Sequence, residues 1–135
     1  MVKKLIDANV VLRYLLRDDD ALFKKASALL DRVKLGEEAV VIPESVLTEC
    51  VYVLMKVYKV DKLIISEKLK GLFAYKGIAN PDKKDLIDSI VLFGQTQLSI
   101  VDCIACSKSI NHGMSLCTFD DDLRNIYSKK LRSSM

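Results

Sequence analysis

Short continuous apolar runs alternate along this chain with longer stretches in which apolar residues recur every three or four positions. Val2, Leu5 and Ile6 form the first run and read as a strand that ends at Asp7. A helical pattern opens at Val10 and continues to Leu16. Asp18, Asp19 and Asp20 follow, and Asp20 is placed to cap a second helix over Ala21 to Val33. Gly36 then takes the position just past a helix end that favours a left-handed backbone.

Ala39 to Ile42 is apolar throughout and is bounded by charge and by Pro43, as suits a strand buried on both faces. Pro43 opens a helix from Glu44 to Tyr58 that is apolar nearly all round, with Glu49 in its middle. Asp61 caps a helix reaching Tyr75, and Gly77 to Asn80 reads as a short strand. Pro81 and Asp82 start a further helix, whose inner side carries Leu86, Ile87, Ile90, Val91 and Phe93, and Gly94 to Ser99 connects it onward. Ile100 to Asn111 is helical and carries Asp102, with His112 and Gly113 closing it. Ser115 to Phe119 reads as a last strand, ended by Asp120, Asp121 and Asp122, and a final helix holds Leu123, Ile126 and Tyr127. Strands alternating with crossover-length helices predict an α/β fold, with a mainly parallel sheet and helices on both faces.

Composition narrows the class. A chain of 135 residues suits one domain with a proper core. Half of the residues are hydrophobic and 29% are charged, as in an ordinary water-soluble globule. Lys3 and Lys4 precede only a short apolar run broken by Asp7, Asn9 and Arg13, which is no signal peptide. No apolar stretch reaches the length of a membrane span. The expectation is a cytoplasmic protein whose four cysteines are reduced. Cys103 and Cys106 form a C-x-x-C inside an apolar helical pattern, where buried core thiols are the natural reading. The net charge of +3 permits nucleic-acid binding without demanding it.

Four acids stand out by position. Asp7 and Asp120 follow strands, while Glu49 and Asp102 interrupt apolar helical patterns. A parallel sheet gathers its strand C-termini at one edge, so the four can meet in one cleft. Like charges a few ångströms apart repel by about 4 kcal/mol per pair at a protein surface, so such a cluster needs protonation or a cation. Oxygen ligands without His or Cys suit magnesium or manganese. A pair of such ions can hold both the attacking and the leaving oxygen of a phosphodiester. Each acid also has a plainer reading. Asp7 can cap the following helix, Ser99-x-x-Asp102 has capping-box spacing, and the Asp120 run can simply favour a helix start. Glu49 has only Thr48 and Tyr52 as a thin polar side, so it is expected to be a buried carboxylate in need of a partner.

The blocks Ile6 to Leu15, Ile42 to Leu54, Val101 to Cys106 and Leu116 to Leu123 together resemble a PIN-domain ribonuclease, and most of all the VapC-type toxins of toxin–antitoxin pairs. The resemblance implies a three-layer α/β/α sandwich, with residues 1–128 forming one PIN-like domain; residues 129–135 read as a basic, mobile tail from their composition and terminal position. It implies an endoribonuclease dependent on Mg2+ or Mn2+, with Asp7, Glu49, Asp102 and Asp120 as catalytic, metal-binding acids. Asn9 and Thr118 match its polar support positions. Cys103 stands where the family often has alanine, and the triple Asp leaves open whether Asp122 also faces the metal. In this reading water attacks the RNA phosphorus in line, leaving 5′-phosphate and 3′-hydroxyl ends. The partners implied are RNA, a second copy in a homodimer and a small antitoxin protein, with no membrane. The helices Val10 to Leu16 and Leu63 to Phe73 are candidate surfaces for such partners.

His112 is the only histidine, which excludes a two-histidine, metal-free ribonuclease mechanism. Arg13, Arg17, Lys24 and Lys25 lie near the first block and can meet RNA phosphates. Two other functions compete. A haloacid-dehalogenase-type phosphotransferase opens with a strand ending in D-x-D, but Asn9 replaces the second acid here. A non-catalytic PIN-like module would bind RNA or protein without cutting.

Overall fold

The computed structural model describes residues 2–135. In chain order the elements are β1 (Lys4–Leu5), α1 (Ala8–Leu16), α2 (Asp20–Leu35), β2 (Val40–Val41), α3 (Glu44–Lys56), α4 (Lys62–Phe73), α5 (Lys83–Gln95), α6 (Ile100–Asn111) and α7 (Asp121–Ser133). The fold is α/β with parallel pairing: Lys4 lies opposite Val40 and Leu5 opposite Val41. Val40 also bridges Ile78 in parallel on its other side, through Val40 N to Gly77 O at 2.9 Å and Ala79 N to Val40 O at 2.8 Å.

Asn80 carries this pairing one step further with its side chain. Its amide nitrogen donates to Ile42 O at 2.6 Å, and its amide oxygen accepts from Ile42 N at 2.9 Å. The buried Asn80 thus acts as a strand neighbour for Ile42, two residues before α3, and satisfies backbone groups that would otherwise be buried unpaired.

Ile6, Val40, Ile42 and Ile78 form the floor of the core. Helix α1 packs on α2 and α3, α4 packs on α5, and α6 packs on both α5 and α7. Phe73 and Phe93 are the largest fully buried side chains. Two glycines are required by geometry. Gly36 ends α2 at φ 81°, in the left-handed region. A Cβ at Gly77 would collide with the carbonyl oxygen of Glu38, so only glycine lets this strand edge approach.

Several expectations change. Asp19, not Asp20, caps α2, its carboxylate accepting from Leu22 N at 2.9 Å. Helix α1 begins at Ala8 because Asp7 caps it, two residues before the apolar pattern opens. Ser115 to Phe119 is irregular rather than a strand, and both paired strands are two residues long, so a complete three-layer sandwich is not shown. Among the described residues no neighbouring backbone pairs with this segment, so its strand-like pattern does not become a strand. Helix α7 continues to Ser133, so most of the expected tail is helical. No helix among the described residues is long and apolar enough to cross a membrane.

Candidate metal cleft

Asp7 is placed by its two neighbours. Ile6 is 2% exposed and anchors the end of the strand, while Ala8 starts α1. The Asp7 carboxylate accepts from Val10 N at 3.2 Å, the bond that caps the helix, and its other oxygen remains free for solvent. Asn9, one residue into the helix, is exposed beside it.

Glu49 lies midway along α3. It is exposed, which corrects the expectation of a buried carboxylate: the thin polar stripe of the helix faces solvent across a cleft. The next residue, Cys50, is 0% exposed, and its thiol donates to Ala8 O at 3.9 Å. Asp7 and Glu49 therefore flank a buried contact between the start of α1 and the middle of α3. Both line one open cleft of about 350 Å³, with Ala8, Asn9, Leu12 and Val53. Burial pushes the Cys50 thiol up to about 12, helped by the negative charges of Glu49 and Asp7.

The other two acids stand at helix starts and are not among the residues lining this cleft. Asp102 is half-buried in the first turn of α6, where its backbone N–H donates to Ser99 Oγ at 3.1 Å. Asp120 caps α7, accepting from Leu123 N at 2.9 Å, and its own N–H donates to Thr118 Oγ1 at 3.1 Å. Asp122 lines a separate groove with Gln95, Leu98, Asn125 and Lys129. Among the described residues, no three His, Cys, Asp or Glu side chains come together as a metal-binding group. The structure joins Asp7 to Glu49 but does not gather the quartet.

The chain belongs to the PIN domain family. The family match spans residues 4–129, from β1 into α7. Comparison with curated proteins and with solved structures gives no match. PIN domains are α/β proteins, generally nucleases that use divalent metals and act on nucleic acid.

The PIN cleft suits a hard divalent cation in its donor chemistry. Asp7 and Glu49 offer carboxylate oxygens, and among the described residues neither they nor Asp102 and Asp120 take part in an ion pair. Magnesium is commonly held by one or two carboxylates, with water and substrate phosphate completing its octahedron. Two exposed carboxylates lining an open cleft meet that requirement.

Some charged groups have other duties. Arg13 donates to Asp18 at 2.7 Å and to the Tyr58 hydroxyl at 3.4 Å, and Arg17 stacks over Phe23. Arg13 is thereby engaged at the end of α1, while Arg17 is exposed over the Phe23 ring. Cys103 and Cys106 are buried, as their apolar setting implied, and Cys117 is the exposed thiol. Sequence reasoning missed Asp85, which is 5% exposed and accepts from Asn111 at 2.8 Å and pairs with His112 at 2.8 Å. Its place on the inner side of α5, one residue before the buried Leu86, was the available signal. Cys50 was also overlooked as the link between the two acidic segments, because it read as one more apolar core position.

Proposed function

We propose that this PIN domain is a divalent-metal-dependent endoribonuclease that hydrolyses RNA phosphodiester bonds, and that it is the toxin of a toxin–antitoxin pair. The observation that carries the nuclease reading is the pairing of Asp7 with Glu49 in one cleft, with no cationic side chain among the described residues in an ion pair with either. Asp7 and Glu49 would hold Mg2+ or Mn2+. Bound there, the ion would lower the pKa of a water and offset charge developing on the phosphorus. The α1 cap keeps Asp7 in a fixed rotamer, and the Cys50 contact fixes the spacing of the two acids. Asn9 lies within the same cleft and can orient a water or a phosphate oxygen by hydrogen bonding. Asp102 and Asp120 would complete the acidic set, with Thr118 holding the Asp120 backbone. Asp122 is the reserve ligand.

The toxin assignment rests on the resemblance of the four blocks to VapC-type proteins. A homodimer, a small inhibitory antitoxin and a cytoplasmic setting belong to the same reading. Leu63 and Ile64 on α4 are half exposed and support α4 as a contact surface, whereas Val11 and Leu12 of α1 are core. The deciding experiment is cleavage of RNA in Mg2+, Mn2+ or EDTA. Activity that needs the ion and disappears in Asp7→Asn and Glu49→Gln is expected, and activity in EDTA overturns the mechanism.

The separation of Asp102 and Asp120 from the cleft favours one other reading, a PIN module that binds nucleic acid or protein without cutting. Calorimetric titration with Mn2+ separates the two, since a non-catalytic scaffold has no need to bind the ion.

A further inference from the structure

Of α7, only Leu123 is buried. Beside that helix lies an open groove of about 680 Å³, whose far wall is the end of α5 and the connection to α6. The acidic cleft measures about 350 Å³ and shares no residue with this groove. A volume of this size is ordinary for a small-molecule site. The C-terminal residues expected to form a mobile tail instead supply part of its wall, through Lys129, Lys130 and Ser133.

Three kinds of group meet there. The floor is apolar, with the buried Leu92 and Leu98 and the half-buried Ile126. The walls carry the exposed amides of Gln95, Gln97 and Asn125, none of which bonds to another described residue. Lys129 and Lys130 add two ammonium groups that enter no ion pair among the described residues. After Asp122, α7 carries basic side chains and no acid. Thr96 is the contrast: its hydroxyl donates to Leu92 O at 2.9 Å and accepts from Leu98 N at 3.3 Å, so it only shapes the wall.

The groups select a class of ligand. The lysines call for an anion, and phosphate suits an ammonium point charge. The amides each offer both a donor and an acceptor, which match the edge of a nucleobase. The apolar floor suits the face of a flat ring. A fatty acid would satisfy the lysines and the floor but leave three amides unanswered. Asp122, the carboxylate of this groove, lies seven residues before Lys129 on the same helix, about 10 Å along its axis. At that separation it repels a phosphate at the lysines only weakly, and it can accept from a ribose hydroxyl.

We propose that the groove between α7 and the end of α5 binds a free ribonucleoside phosphate. Its base lies over Leu92, Leu98 and Ile126, with the base edge on the three amides and the phosphate at Lys129 and Lys130. The site is separate from the acidic cleft, and the proposal does not depend on the nuclease reading.

The experiment titrates the isotope-labelled full chain in EDTA with each of the four ribonucleoside 5′-monophosphates, and follows amide signals by NMR. At least one nucleotide is expected to shift the side-chain amides of Gln95, Gln97 and Asn125 saturably. Lys129→Gln combined with Lys130→Gln should weaken that binding about tenfold or more. Gln97→Ala combined with Asn125→Ala should weaken it and reduce the preference among bases. These side chains are exposed, so the thermal midpoints of the variants should match wild type. The proposal is overturned if no monophosphate shifts the amides at millimolar concentration, or if affinity is unchanged in both variants. It is equally overturned if inorganic phosphate alone reproduces the shifts, or if decanoate displaces the nucleotide at lower concentration. A single-stranded oligoribonucleotide that shifts these amides where the monophosphates do not would also overturn it, in favour of a strand-binding groove. Without divalent ions in the titration, failure of the nuclease reading leaves the result intact.

Discussion

The Cys50 thiol meets the carbonyl oxygen of Ala8 at 3.9 Å, and this buried contact joins the two segments that carry Asp7 and Glu49. A sulfur–carbonyl contact is weak by itself. Its consequence is positional: a residue on either side of a fully buried contact has little freedom to drift. The cleft thereby inherits the rigidity of the core beneath it, while its carboxylates stay in water.

Asp7 caps α1, and substitution can separate that role from the metal-binding role proposed for it. Asparagine caps a helix about as well as aspartate, whereas alanine loses roughly 1 kcal/mol. Asp7→Asn should leave the urea midpoint nearly unchanged while metal-dependent cleavage falls more than about a hundredfold, since it removes an anionic ligand. Asp7→Ala should lose both stability and activity. Parallel denaturation and cleavage assays check this, and full activity in Asp7→Asn would confine the residue to capping.

The buried thiols make the fold sensitive to alkali. Burial foremost pushes Cys50 and Cys103 up to about 12, from an ordinary value of 9.0. Below pH 9 both folded and unfolded chains keep these protons. Between about 9 and 12 only the unfolded chain gives them up, so stability is lost as pH rises through that window. Urea midpoints measured near pH 8 and about pH 10.5 should show a fall, and Cys50→Ala with Cys103→Ala should make it shallower. In native protein at neutral pH, an alkylating reagent should label Cys117 first, because it alone is exposed.

Asp85 locks the ends of α5 and α6 together. Burial pushes its carboxyl up, but hydrogen bonds from His112 and Asn111 outweigh that and hold it below its ordinary 3.8. A depressed carboxyl contributes stability that is present above about pH 4 and is lost as pH falls through the folded value. Asp85→Ala removes the acceptor shared by two donors and should cost about 1–3 kcal/mol at neutral pH. The gap between wild type and variant should narrow in acid, and a gap constant from neutrality down to strong acid would remove the carboxylate from the account.

Asn80 is the polar residue on which the short sheet depends. Asn80→Leu keeps much of the volume but leaves the Ile42 N–H and carbonyl unpaired in the interior, at about 1–3 kcal/mol for each. Its thermal midpoint should fall clearly, with faster amide exchange at Ile42 as the specific sign. Unchanged exchange there would show that the amide pairing is dispensable.

The sequence by itself determined the helices and the α/β class. Helical periodicity, Gly36 and the capping positions Asp61, Ser99 and Asp120 are local signals, written within a few residues of what they specify. The apolar run before Pro43 likewise marked the central strand. Tertiary structure decided what local pattern cannot carry. Residues 115–119 look like a strand, yet pairing needs a partner at the right edge, and none meets them. Glu49 sits in an apolar sequence but faces water, because helix orientation is set by what α3 packs against. Only packing made Cys50 the link between Asp7 and Glu49, and only packing gave Asn80 and Asp85 their buried partners. Long-range distance decides whether four acids become one site, and the structure brings two of them together.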